Sequence, residues 1–198
     1  MVIAIVHTGG ANLASVQNAI ARLGLKAELT SDAQCIVKAS HVILPGVGAA
    51  PEAMTRWQKT ELLPVIRGLR QPVLGICLGM QLLFDHSAEG NVECLKLLKG
   101  NVEVIEPDLE NGITVPHMGW NEVQLDGQAS RLFSNINGQY FYFVHSYKAP
   151  FGPFVRATTN HGGPVVAAVE QDNFFGVQFH PERSATNGAA LLDRFFKL

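Results

Sequence analysis

Residues 73–84 read Val-Leu-Gly-Ile-Cys-Leu-Gly-Met-Gln-Leu-Leu-Phe, an apolar strand pattern followed directly by a helical pattern, with Cys77 at the junction. Glycines stand two residues before and two residues after this cysteine, at Gly75 and Gly79. A nucleophile held on a sharp strand-to-helix turn needs small neighbours at both positions, because the turn brings backbone segments close together. The segment therefore predicts a nucleophile elbow with Cys77 as the nucleophile.

The predicted helix after the elbow gives Cys77 two further properties. Its N-terminal amides and positive dipole end favour the thiolate, and the backbone N–H of Leu78 is placed to bind a developing oxyanion. The alternative is that Cys77 is a buried, unreactive side chain. We expect that inert role for Cys35 and Cys94, since neither is framed by glycines.

Outward from the elbow, the first half of the chain alternates short apolar runs with helical patterns, whereas the second half is rich in strand patterns. Strands are predicted at residues 2–6, 27–29, 41–44, 73–76, 102–105, 140–144, 165–169 and 174–179. Helices are predicted at residues 13–23, around Cys35, and at 51–69, 80–84 and 191–196.

This order of elements predicts an α/β fold. We expect an open, mostly parallel sheet with helices on both faces and antiparallel edge strands, built on a flavodoxin-like core. No linker or repeat divides the sequence, so residues 1–198 are predicted to form a single domain.

A base for Cys77 is predicted at the end of the last strand pattern. His180 directly follows that pattern, and the end of a strand holds a side chain rigidly. Pro181 fixes the backbone between His180 and Glu182. The carboxylate can orient the ring and stabilise the imidazolium, which predicts a triad of Cys77, His180 and Glu182. His117 and His145 also lie in tight sequence contexts, and we expect them to be hydrogen-bonded structural histidines.

The segment Pro45-Gly46-Val47-Gly48 follows the strand pattern at residues 41–44. The carboxyl ends of parallel strands meet at one edge of a sheet, where ligands of open α/β sheets bind, so this loop is expected beside Cys77. Its glycines allow the backbone to turn and to point an N–H at an oxyanion. A phosphate-binding loop is excluded, because the segment has no Gly-Lys-Ser/Thr ending.

Composition excludes several classes of protein. The 198 residues are 47% hydrophobic and 16% charged, with a net charge of −2, which is typical of a globular domain and not of a disordered chain. The near-neutral charge and the lack of a basic run argue against nucleic-acid and membrane partners. We expect no signal peptide at the N-terminus, because it has no basic segment and no cleavage site.

The three cysteines have no paired spacing, which argues against a disulfide framework and predicts a cytoplasmic protein. No group of His, Cys and Asp residues has the spacing of metal ligands, so we expect neither a metal nor a cofactor.

Two motifs together resemble the class I glutamine amidotransferases: Gly-Ile-Cys-Leu-Gly-Met-Gln at residues 75–81 and Gln-Phe-His-Pro-Glu at residues 178–182. Three further segments are similar to one branch of that family, the glutaminase subunits of imidazole glycerol phosphate synthases. They are Gly-Ala-Asn-Leu-x-Ser at 10–15, Pro-His-Met-Gly-Trp-Asn at 116–121 and Tyr-Phe-Val-His-Ser-Tyr at 142–147. The resemblance runs essentially from end to end.

The resemblance implies hydrolysis of glutamine through a thioester on Cys77, with His180 and Glu182 completing the triad. It implies an oxyanion hole formed by the backbone N–H groups of Leu78 and Val47. The residues that it implies for substrate binding are Gly48, Gln81, Ser146 and Tyr147.

It also implies a partner: a cyclase subunit with a (β/α)₈ barrel, which receives the ammonia through a protected channel in a heterodimer of histidine biosynthesis. Asn12 and Trp120 are expected at the interface. A peptide flip in the loop at residues 45–48 is expected to switch the glutaminase on when the partner is loaded. His7 departs from the pattern of close relatives, in which we expect an aspartate before Thr8.

Three alternatives stay open on the sequence: a glutaminase serving another synthase, such as one making anthranilate or GMP; a cysteine peptidase or redox sensor on a flavodoxin-like sheet; and a binding module with a vestigial triad. The segments at 116–121 and 142–147 argue against the first. The motif at 178–182 argues against the second, and the presence of all three triad residues argues against the third.

Overall fold

The computed structural model of the protein describes residues 2–9 and 13–198. The expected interface residue Asn12 lies outside these residues. In chain order, the helices and strands are β1 (Ile3–Val6), α1 (Ala14–Arg22), β2 (Ala27–Thr30), α2 (Ala33–Lys38), β3 (His41–Leu44), α3 (Ala50–Lys59), α4 (Leu62–Arg67), β4 (Val73–Ile76), α5 (Leu78–Gln81), β5 (His86–Ser87), β6 (Val92–Glu93), β7 (Asn101–Val104), β8 (His117–Leu125), β9 (Gln139–His145), β10 (Tyr147–Lys148), β11 (Val155–Asn160), β12 (Pro164–Gln171), β13 (Phe174–Val177), a 3₁₀ turn (Pro181–Arg183) and α6 (Ala185–Phe195).

Nine strands form the main sheet, in the order β2-β1-β3-β4-β13-β12-β11-β8-β9. The five strands from β2 to β13 pair in parallel. The remaining four extend the sheet antiparallel on the side of β13. The predicted α/β fold, with a mostly parallel sheet and antiparallel strands at the edge, is confirmed.

Helices cover both faces of the sheet, as predicted. Successive side chains of a strand point to opposite faces, so Ile3 and Ile5 join one apolar cluster while Ala4 and Val6 join another. Helices α1 and α6 contribute to the first cluster, and α2, α3 and α4 contribute to the second. Parallel strands buried in this way on both faces account for the continuous apolar runs in the first half of the sequence.

Several strands were missed by the sequence patterns. Strand β8 buries only His117 and Val123 fully, and β11 alternates with polar residues, so neither has an apolar run. A second, four-stranded sheet, β10-β7-β5-β6, includes three strands of only two residues each. The helix predicted at residues 80–84 is wrong in its bounds, because α5 covers Leu78–Gln81. Among residues 2–9 and 13–198, no helix combines the length and apolar character that a membrane crossing requires.

The turn between β4 and α5 has the strained geometry of an elbow. Cys77 adopts φ 47° and ψ −106°, a backbone conformation that side chains other than glycine rarely take. A Cβ at Gly75 would lie 2.5 Å from the Gly79 carbonyl oxygen, and a Cβ at Gly79 would overlap the Leu44 carbonyl of β3. Both glycines are therefore required by close backbone contacts.

We expect Gly79→Ala to lower the free energy of unfolding by about 3 kcal/mol, because the new methyl group collides with backbone that cannot rotate away. Gly68→Ala is the control, since its Cβ meets its nearest atom, the Pro64 carbonyl oxygen, at 3.3 Å, and its φ is −88°. Urea unfolding measures both variants. Equal stability of the two would show that α5 moves freely away from β3.

Candidate active site

The loops that carry the predicted site residues meet at the carboxyl edge of the parallel strands. Cys77 follows β4, the loop at residues 45–48 follows β3, and His180 follows β13 after two residues. A Cβ at Gly46 would lie 2.5 Å from the Ile76 carbonyl oxygen and 2.7 Å from the Cys77 Cβ. The loop at 45–48 therefore packs directly against the elbow.

His180 and Glu182 form a buried pair. The ring Nδ1 lies 2.7 Å from Glu182 Oε1, and the two side chains are 8% and 3% exposed. A carboxylate oxygen accepts, so Nδ1 carries the proton in this contact and Nε2 is the nitrogen left to interact with Cys77. The structure thus pairs His180 with Glu182, and the Cys77 thiol is close enough to interact with the ring.

The pKa of His180 follows from this environment. Burial lowers it by disfavouring the imidazolium, but interactions with the Cys77 thiol and the Glu182 carboxylate outweigh burial and raise the pKa to about 10. A ring with a raised pKa is a strong acceptor for the proton of a thiol. It is also able to hold that proton until a leaving group takes it.

Ser184 supports the position of the base, and sequence reasoning missed it. Its hydroxyl accepts from the Tyr142 N–H at 2.9 Å and donates to the His180 carbonyl oxygen at 2.6 Å. The His180 N–H also donates to the Tyr142 carbonyl at 2.9 Å. A serine just before a helical pattern usually caps the N-terminus of the helix. The Ser184 hydroxyl makes no capping hydrogen bond and instead links His180 to β9.

A cavity of about 180 Å³ opens beside the thiol. It is smaller than the roughly 300–1,000 Å³ that drug-sized ligands occupy, and so suits a molecule the size of an amino acid. Its lining residues are Gly46, Gly48, Cys77, Leu78, Gln81, Glu89, Val144, His145, Ser146 and Tyr147. All four residues expected to bind substrate are in this set, whereas Val47, His180 and Glu182 are not.

Hydrogen bonds fix the orientation of the buried Gln81 amide. Its Nε2 donates to the Tyr147 carbonyl oxygen at 3.0 Å and to Gln178 Oε1 at 2.9 Å. Gln178 in turn donates from Nε2 to the Cys77 sulfur at 3.6 Å. Because both amide hydrogens of Gln81 are used, its carbonyl oxygen remains to accept from a ligand.

Glu89 gives the cavity a carboxylate, and the sequence analysis missed this residue too. The Ala50 N–H at the start of α3 donates to Glu89 Oε2 at 2.8 Å, which anchors the carboxylate and leaves the second oxygen for another donor. No pattern marks Glu89 in the sequence, because it lies between the two-residue strands β5 and β6.

The loop at residues 45–48 is held by the segment that follows β1. The Thr8 hydroxyl donates to the Val47 carbonyl oxygen at 3.2 Å, and Gly48 takes a φ of 95° that favours glycine. Leu78 opens the first turn of α5, where amides have no helical partner. His7 accepts from the Gly9 N–H through Nδ1 at 3.0 Å, a contact that an aspartate oxygen would also make.

Trp120 is exposed, not part of the core. It is 51% exposed on β8, and Met118 on the same strand and Tyr140 on β9 are also exposed. The Trp120 ring lies edge-on to Tyr142, with 6.1 Å between ring centroids. Exposed large apolar side chains grouped on one edge are typical of a binding surface.

Larger cavities lie elsewhere and lack the nucleophile. One of about 600 Å³ is lined by Thr8, Arg56 and Lys59, among others, and its lining contains neither cysteine nor histidine. Within residues 2–9 and 13–198, no cluster of His, Cys, Asp and Glu is arranged to hold a metal ion. Cys77 and the Glu89 carboxylate in its lining therefore mark the smaller cavity as the candidate active site.

Comparison with known proteins assigns the class. The model of the glutamine amidotransferase class-I family matches residues 4–198, so the chain belongs to that family. Solved structures agree on the fold: a glutamine amidotransferase superimposes with a TM-score of 0.72 at 17% identity, covering 98% of this chain and 97% of that one. PurLQS from Thermotoga maritima gives a TM-score of 0.74 at 15% identity, covering 99% and 97%.

Curated relatives are similar over nearly the whole chain. Imidazole glycerol phosphate synthase subunit HisH of Xanthomonas euvesicatoria pv. vesicatoria (strain 85-10) is 48% identical over 196 residues, which cover 99% of this chain and 97% of the relative. The subunit of the same name from Xylella fastidiosa (strain 9a5c) is 48% identical over 197 residues, with the same coverage. Within the family, the chain therefore belongs with the HisH subunits.

We expect the His180 ring to titrate far above the ordinary histidine value of 6.5. Its pKa is raised on folding, so its contribution to stability is complete below about pH 6.5 and is lost as the pH rises through about 10. Glu182→Gln removes the carboxylate and should shift the titration towards 6.5. ¹⁵N NMR of histidine-labelled protein measures it, with Glu110→Gln at the surface as control. A wild-type ring that titrates near 6.5 would contradict the described pairing.

Proposed function

We propose that this chain is the glutaminase subunit of an imidazole glycerol phosphate synthase, which hydrolyses glutamine and supplies ammonia to a cyclase subunit. One observation carries the proposal: a cysteine on a strained elbow interacts with a buried His–Glu pair and faces an amino-acid-sized cavity. The similarity to HisH subunits over nearly the full length supports the particular synthase.

In the first half-reaction, the Cys77 sulfur attacks the side-chain amide carbon of glutamine. His180 takes the thiol proton through Nε2, while Glu182 holds the opposite nitrogen and stabilises the imidazolium. The negative charge that develops on the amide oxygen is received by the backbone N–H groups of Leu78 and Val47. The imidazolium then protonates the departing nitrogen, and ammonia leaves a γ-glutamyl thioester on Cys77.

In the second half-reaction, His180 acts as the base towards water. Water attacks the thioester carbonyl, the proton passes to Nε2, and the same oxyanion hole receives the charge. Collapse of the intermediate breaks the carbon–sulfur bond and returns the proton to the thiol. Glutamate is released and Cys77 is regenerated.

Glutamine recognition falls to the lining of the cavity. The Gln81 carbonyl oxygen accepts from the substrate, and Gly48, Ser146 and Tyr147 surround it. Glu89 pairs with the α-ammonium group through the oxygen that Ala50 leaves free. A cavity with a carboxylate and fixed amide groups distinguishes an amino acid from an ordinary amide.

The partner surface is the exposed edge that contains Trp120, together with Asn12. The ring of Trp120 packs on Tyr142, whose carbonyl accepts from the His180 N–H, so this edge borders the point at which ammonia forms. Free ammonia would be protonated in water and lost as a nucleophile. A channel into a cyclase subunit with a (β/α)₈ barrel, in a cytoplasmic heterodimer, keeps it neutral.

Activation by the loaded partner is proposed to act through the loop at residues 45–48. Rotation of the Gly46–Val47 peptide turns the Val47 N–H towards the oxyanion, and glycine at position 46 permits the change. Thr8 holds the Val47 carbonyl on the other side of that residue, which confines the motion to one peptide group.

The first test replaces the nucleophile. In a complex with the cyclase subunit and its nucleotide ligand, Cys77→Ala should abolish synthesis from glutamine, by at least about 10³-fold, and leave synthesis from added ammonium salts intact. The control is Cys35→Ser, which changes a cysteine of α2 that does not line the cavity. Product formation is followed from each nitrogen source. Loss of both activities would indicate a structural role for Cys77.

The second test addresses the partner surface. Trp120→Ala should weaken assembly or uncouple glutamine hydrolysis from synthesis, because it removes the largest exposed side chain beside the site. Titration calorimetry gives the affinity, and the ratio of glutamate to product gives the coupling. Val37→Ala alters another exposed apolar residue, on α2, and serves as control. Unchanged affinity together with unchanged coupling would remove Trp120 from the interface.

A further inference from the structure

Two buried histidines beside the site have no part in the chemistry described above. His117 on β8 and His145 at the end of β9 face each other across the strand pair, with 2.9 Å between His117 Nδ1 and His145 Nε2. Both rings are buried, at 1% and 6% exposure. A buried polar pair is costly unless its hydrogen bonds are satisfied, so the partners of both rings decide what the pair does.

The direction of the hydrogen bonds follows from their fixed ends. His145 Nδ1 lies 2.7 Å from the Tyr147 carbonyl oxygen, which only accepts, so Nδ1 carries the proton. Burial lowers the pKa of His145 to about 3, and the ring is therefore neutral, with Nε2 as an acceptor. His117 must then donate from Nδ1 to His145.

The far end of the pair reaches the surface groove beside Trp120. His117 Nε2 lies 3.0 Å from Asn121 Oδ1, and the Asn121 amide donates to the Asn160 carbonyl oxygen at 2.9 Å. Burial lowers the pKa of His117, so the ring is neutral, and with its one proton on Nδ1 it makes no hydrogen bond to Asn121 through Nε2. Asn121 and Asn160 both line this groove. The His117 ring is held in place by stacking against Phe143 on β9 and His161 in the turn between β11 and β12.

The near end of the pair reaches the glutamine cavity. The Tyr147 carbonyl that accepts from His145 also accepts from Gln81 Nε2, so one oxygen with two lone pairs receives both donors. Without the donor of His145, this carbonyl, which belongs to the two-residue strand β10, would turn away from Gln81 more easily. The Gln81 amide would then lose one of the two contacts that point its carbonyl oxygen at the ligand.

We propose that His145, buttressed by His117, is a positioning residue for glutamine: it fixes the Tyr147 carbonyl and thereby the orientation of the Gln81 amide. The inference rests on the proposed glutaminase function and deepens it. It places the affinity for glutamine, not the attack of Cys77, under the control of a hydrogen-bond chain that starts at His117 and runs through His145 to the Tyr147 carbonyl.

Two variants of the same residue separate the two contacts. In His145→Asn the amide nitrogen can take the place of Nδ1 and still donate to Tyr147, whereas in His145→Gln the amide takes the place of Nε2 and keeps only the contact to His117. In the synthase complex with its nucleotide ligand, we expect His145→Gln to raise the KM for glutamine about tenfold with kcat within about twofold. His145→Asn should keep the KM within about twofold of wild type.

His41→Gln is the matched control, since His41 is a buried histidine packed on Phe195 and Phe196 with no link to this chain of hydrogen bonds. Its KM should equal that of wild type. An unchanged KM in His145→Gln, or an equal rise in both His145 variants, would overturn the proposal.

A measurement on the wild-type chain covers the case in which a variant does not fold. ¹⁵N NMR of labelled histidine should show His145 protonated on Nδ1 and unprotonated on Nε2. The opposite tautomer would overturn the proposal. If the wild-type complex releases no glutamate, the proposed function fails, while the NMR spectrum still reports on the histidine chain. If the wild-type complex is active and the two variants behave alike, the positioning role alone fails.

Discussion

The close contact between Gly79 of α5 and the Leu44 carbonyl of β3 is the constraint on which the site depends. It forces the chain to turn within one residue after β4, and Cys77 takes up the strain with a positive φ. The same closeness brings the loop after β3 against the Cys77 Cβ. Cys77 and the loop at residues 45–48 are therefore neighbours because two adjacent strands end in contact with one helical turn.

The proposed base, His180, comes from a different part of the architecture. β13 is the last parallel strand, and the antiparallel strands begin next to it, so His180 leaves the sheet where the two arrangements join. Its backbone is bound to Tyr142 of β9, both directly and through Ser184. The antiparallel strands thus do more than cover an edge, because they hold the histidine in place and add Val144, His145 and Tyr147 to the site.

The parallel half was predictable because its strands are buried on both faces and leave apolar runs in the sequence. The motifs around Cys77 and His180 carry backbone requirements, such as the flanking glycines, that a sequence displays directly. β8 and β11 were not predictable, since their burial alternates with polar positions and depends on long-range pairing. Glu89 and Ser184 act through contacts formed only in the fold, and no local pattern marks them.

The cysteines of the chain differ in their exposure to oxidants. Burial raises the pKa of the Cys94 thiol to about 12, and burial together with Asp32 raises that of Cys35, so both remain protonated at neutral pH. Cys77 is only 7% exposed and packs against the loop at residues 45–48. Peroxides react with accessible thiolates, so Cys35 and Cys94 are poor targets for them. The two cysteines outside the candidate site therefore add no reactive thiol to the chain.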